Sequence, residues 1–134
     1  MSFSTICTIL EAVEASKVYA SKQWKAIESK LPKLAKDFKT YIDKGNFNMF
    51  IDFANQVIEA NTKNKTNAMF PKLDKESWQY ILEIIKYMHK EDPRLKPGAK
   101  YTNDVWAHEP YSRDKVREQL EELSTRISAL IESM

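Results

Sequence analysis

Cysteine and glycine are almost missing from this chain. One cysteine, Cys7, in 134 residues cannot form a disulfide within the molecule, so packing alone must hold the domain, which favours a reducing compartment, the cytoplasm. Two glycines, Gly45 and Gly98, stand too far apart to build a phosphate-cradling loop, and neither is placed for a two-residue hairpin. Histidine is nearly as rare. Neither His89 nor His108 has a second imidazole at helical spacing, so the HExxH type of zinc site is absent and no metal or other cofactor is expected.

Long apolar runs are missing too. No stretch approaches the 18 or so residues that a membrane span requires, so no membrane partner is expected. The opening residues carry no Lys or Arg before their apolar stretch, and Glu11 and Glu14 fall within it, unlike a secretory signal. Asn64-Lys65-Thr66 is then expected to stay an unglycosylated sequon. Strict polar–apolar alternation is lacking, which argues against strands, and no repeat of 20 to 50 residues is visible, which argues against a solenoid.

What the chain has is helical periodicity. The expected fold is all-α, a single domain over 1–134 built as a bundle of about five helices near 4–30, 32–44, 47–61, 74–91 and 112–134. In the first, Phe3, Ile6, Leu10, Val13, Ala20, Trp24, Ile27 and Leu31 share one heptad stripe broken only by Lys17. Pro32 suits the first turn of the second helix and Gly45 its left-handed stop. Phe47, Phe50, Ile51, Ala54, Val57 and Ile58 form the face of the third, with Asn46 or Asn48 as its cap. Asp74 caps the fourth, whose two apolar faces, one with Trp78, Ile81 and Ile85 and one with Tyr80, Ile84 and Tyr87, predict a central position. Ser112 caps the last, where Val116, Leu120, Leu123, Ile127, Leu130 and Met134 step as a second heptad seam. Two such seams predict either intramolecular pairing or a homodimer.

Residues 92–111 interrupt this pattern with three of the five prolines, Gly98, Tyr101, Trp106, His108 and Tyr111. Loops this long in compact domains are usually binding segments or disordered, and disorder avoids aromatics. The segment is therefore expected to be an ordered loop, either folded over the bundle as a lid or presented to a protein partner through Arg94, Tyr101, Trp106, His108 and Tyr111.

Chemistry is otherwise sparse. His89 lies on the Trp78 stripe near a helix C-terminus and reads as a histidine at the edge of the core. Cys7 reads as a small buried thiol, and Glu118, Glu121 and Glu122 as a solvated face. Lysine clusters between Lys17 and Lys44, eight against Glu28, Asp37 and Asp43, while all four arginines lie at or beyond Arg94. Three functions fit these observations. The first is a small adaptor or inhibitor that docks on a protein and needs no catalytic constellation. Non-sequence-specific nucleic-acid binding through Lys22, Lys25, Lys33 and Lys36, with Tyr19, Trp24 and Tyr41 as stacking platforms, comes second. The third is an enzyme or small-ligand carrier with its site inside the bundle.

Overall fold

Five helices, a helical turn at 17–20 and their connections account for the described residues, 17–92, 94–95 and 113–134 of a computed structural model, and none of these residues is in a strand. The helices are α1, Lys22–Lys30; α2, Pro32–Asp43; α3, Phe47–Thr62; α4, Lys75–Glu91; and α5, Arg113–Ser133. The fold class is all-α, as the periodicity predicts.

The expected first helix over 4–30 is not continuous. Residues 17–20 form a helical turn and the chain bends at Ser21, whose backbone is extended. Ser21 Oγ donates to the Val18 carbonyl at 2.6 Å and accepts from the Trp24 N–H at 3.1 Å. A serine that offers the backbone both bonds competes with the helical ladder and restarts it as an N-cap, which heptad spacing alone does not reveal. Residues 4–16 lie outside the described part.

Leu31 is the one residue between α1 and α2, and Pro32 opens α2 as expected. The two helices run back along each other. Tyr19 donates to Asp43 Oδ1 at 2.6 Å, and Lys39 Nζ sits 5.1 Å from the Tyr19 ring centroid. Gly45, at φ 68°, ends α2 in a Schellman motif, with Asn46 N–H on Tyr41 O at 2.9 Å and Gly45 N–H on Ile42 O at 3.1 Å. Asn46 is the N-cap of α3 but makes no side-chain capping bond, and Asn48 is buried within the first turn.

α3 ends in the same way without a glycine. Asn64 takes φ 55°, and Lys65 N–H reaches Ala60 O at 2.8 Å. The connection to α4 is then fastened by Asn61, whose Nδ2 donates to Val57 O at 2.8 Å and Pro71 O at 2.9 Å while its Oδ1 accepts from Leu73 N–H at 2.9 Å. Leu73 is buried beside it. Asp74 caps α4 as expected, its Oδ1 accepting from Ser77 N–H at 2.8 Å. Ser112, the expected cap of α5, lies outside the described residues.

The helices close into a ring in which each packs chiefly on two others, in the order α1, α2, α3, α5, α4 and back to α1. α5 stands between α3 and α4, and this explains the two apolar faces of α4, one turned to α1 and one to α5. Among the described residues α4 is one wall of this ring. The most enclosed helix is α3, with nine buried residues from Phe47 to Ala60. Its Phe50 and Phe53 meet Phe38 of α2 with ring centroids 4.9 and 5.5 Å apart, the second edge-on, the geometry that aromatic quadrupoles favour.

The seam of α5 is consumed inside the subunit. Val116, Leu120, Leu123 and Ile127 are buried against α3 and α4, Leu130 is half-buried, and only Met134 is largely exposed. The same spacing that predicted a dimer contact is thus satisfied within one chain, and the described residues supply no ground for self-association.

Candidate functional site

Leu95 and Arg113 are the described residues on either side of 96–112, and the side chains that hold Leu95 and its neighbours form the candidate site. Asp92 ends α4 with its carboxylate turned inward, 6% exposed. Its Oδ1 accepts from the Arg94 N–H at 2.9 Å, an Asx turn that brings the Arg94 side chain back on itself. The guanidinium then grips the same carboxylate with two bonds, Nε to Oδ1 at 3.0 Å and Nη2 to Oδ2 at 2.7 Å. Its Nη1 donates to the Ile42 carbonyl of α2 at 2.7 Å, and its carbon lies 4.9 Å from the Phe47 ring centroid of α3. One side chain therefore joins the end of α4, the last turn of α2 and the first of α3.

A second arginine closes the clasp from the other side. Arg117 of α5 donates through Nη1 to Leu95 O at 2.7 Å and to His89 O at 3.2 Å. Both guanidinium groups thus sit on carbonyls at helix C-terminal ends, where the helix dipole favours positive charge. Leu95 itself is fully buried. The last described residue before the segment and the helix that follows it are tied together by one side chain.

This geometry corrects one expected site residue. Arg94, placed on the docking surface by the sequence reading, is 4% exposed and is a strut of the bundle. Tyr101, Trp106, His108 and Tyr111 lie outside the described residues. His89, expected at the core edge, is partly exposed with Nε2 3.5 Å from Glu121 Oε1, an approach too long for a hydrogen bond. Sequence reasoning missed Asp92, Arg117 and Asn61. An acidic residue two positions before an arginine at a helix end was the available signal for Asp92; Arg117 and Asn61 act across distances in sequence that no local pattern carries.

Lys22 and Lys25 of α1 and Lys33 and Lys36 of α2 are all exposed, and none makes an ion pair among the described residues. The aromatics proposed to accompany them are buried or half-buried. Trp24 is 2% exposed, Tyr41 packs at 6.0 Å on Phe53, and the Tyr19 hydroxyl is pushed well above its ordinary range by burial and by its bond to Asp43.

For the third reading, a ligand site, one of the clefts is about 250 Å³ and lies between residues 17–23 and α4, lined by Val18, Ile84 and Tyr87 together with Lys17, Gln23 and Glu83. That is below the roughly 300 to 1,000 Å³ of usual ligand pockets. No group of three or more His, Cys, Asp or Glu among the described residues is arranged to hold a metal ion, and no described helix is long and apolar enough to cross a membrane. No family model matches the chain, and neither a curated protein nor a solved structure does.

Proposed function

We propose that this protein is a small helical protein-binding module, an adaptor or inhibitor, that docks on a partner through residues 96–112 with Tyr101, Trp106, His108 and Tyr111 as contacts. The observation that carries the reading is the clasp. Asp92, Arg94 and Arg117 hold both ends of the segment on a packed bundle, and a segment with fixed ends loses less conformational entropy on binding than a free one. Tryptophan and tyrosine are the usual anchors of protein interfaces. The reading needs no cofactor and no catalytic group, and with the single Cys7 it fits a cytoplasmic setting.

The test compares wild type with Trp106→Ala in quantitative capture from host extract, alongside thermal melting of both proteins. A partner whose affinity falls roughly 30-fold or more in the variant, about 2 kcal/mol, with the melting temperature unchanged, supports the docking segment. Equal capture by both overturns it, and so does a stability loss of about 3 to 5 kcal/mol, which marks Trp106 as a residue packed into the bundle.

A further inference from the structure

We infer that the outer face of the α1–α2 hairpin binds the phosphate backbone of duplex nucleic acid without reading its sequence, a second activity independent of the docking segment. The first ground is charge segregation. The net charge of +2 divides into +5 over residues 17–44 and −3 over the rest of the chain. The fold then concentrates that excess on one side. Lys22 and Lys25 lie on the side of α1 away from Trp24 and Ile27, which enter the core, and Lys33 and Lys36 lie on the side of α2 away from Leu34, Phe38 and Ile42. Because α1 and α2 pack as an antiparallel pair, the two lysine rows lie on the outer sides of adjacent helices.

The three acidic residues of the stretch are already subtracted in that +5. Asp43 accepts from the Tyr19 hydroxyl, Glu28 Oε2 lies 3.3 Å from Trp24 Nε1, and Asp37 is half-buried. Lys30 is committed to Asp74 and Glu76 at 3.2 Å each, Lys39 to the Tyr19 ring, and Lys17 is engaged as well. Lys22, Lys25, Lys33 and Lys36 make no ion pair among the described residues.

The character of the face selects its partner. The large apolar side chains that are exposed among the described residues are Met49, Met69 and Met134, none on α1 or α2. A protein interface needs an apolar anchor at its centre, and this face offers charge alone. Arginine, the residue best suited to bidentate recognition of guanine edges, is absent from this stretch, which argues against base readout. Single strands are held by stacking on exposed aromatics, and Trp24 is buried. What remains is a regular array of phosphates met by point charges on a helical surface, which is sequence-independent backbone contact. The negative remainder of the molecule is repelled by the same polyanion and turns this face toward it.

The experiment is fluorescence anisotropy of a labelled duplex of about 25 base pairs between about 50 and 200 mM salt. Wild type should bind at the low end, with log K falling against log salt at a slope of roughly −3 to −4, the value for four neutralised phosphates. Replacing Lys22, Lys25, Lys33 and Lys36 together by Gln should weaken binding roughly tenfold or more at low salt and flatten the slope. Circular dichroism melting checks that the variant is folded. If it is not, the pairs Lys22→Gln with Lys25→Gln and Lys33→Gln with Lys36→Gln are measured separately, each with about half the change in slope. No binding by wild type at the low end of salt overturns the inference. So does an unchanged variant, tighter binding to a single strand of the same length, or preference for poly-glutamate or anionic vesicles over the duplex.

Discussion

Arg94 shows how far a single side chain can depart from its prospects in sequence. An arginine beside prolines in an aromatic loop has the composition of an interface hot spot, and this one is internal. Removing it leaves the Asp92 carboxylate buried without its bidentate partner, so Arg94→Ala should destabilise the fold by about 3 to 5 kcal/mol, read from urea denaturation. An effect below about 1 kcal/mol would mean that the ion pair is not formed in solution. Asn61 carries a similar burden through neutral bonds. Asn61→Ala leaves Leu73 N–H and Pro71 O without their partner and should cost about 2 to 3 kcal/mol, whereas the exposed Asn67, whose Oδ1 serves the N–H groups of Met69 and Phe70, should cost about 1 kcal/mol when replaced by Ala.

At the level of the element, ends matter more than interiors. Asp74 caps α4, and its carboxyl is held down to about 2, first by hydrogen bonding with Ser77 and then by Lys30. A depressed carboxyl contributes stability that is complete above its ordinary value of 3.8 and is lost as pH falls toward about 2. Asp74→Asn keeps a capping oxygen without the titration, so the stability difference between wild type and variant, about 1 kcal/mol or less near neutral pH, should shrink through that window. A difference that stays constant down to about pH 2 would show that the carboxylate is not what titrates. At the other end of a helix, Asn64→Gly should stabilise α3 by up to about 1 kcal/mol, because the left-handed conformation there costs glycine nothing.

Four of the five helices match their expected bounds to within a residue or so, since apolar period, Pro32, Gly45 and Asp74 are local signals that act where they stand. The break at Ser21 was hidden because the apolar stripe continues across it. The clasp was hidden for a different reason: Ile42, Asp92 and Arg117 come from three helices, and their meeting is a product of the ring and not of any one stretch. Four of the five expected docking residues fall outside the described part, and the fifth belongs to the core.

For the whole molecule, the ring assigns the α5 seam to stability and not to assembly. Leu120→Ala and Leu123→Ala should each cost about 2 to 5 kcal/mol while leaving the mass seen by sedimentation unchanged. A variant that folds normally but sediments differently from wild type would return the seam to an interface between copies. The ring also has a bearing on how the protein is made. A ribosome delivers α3 and α4 before the helix that stands between them, so a nascent chain carries an open slot walled by their apolar sides until Arg113–Ser133 has left the exit tunnel. Any chain stopped ahead of Arg113 keeps that slot, and quality-control proteases and chaperones would meet it as a sticky half-shell.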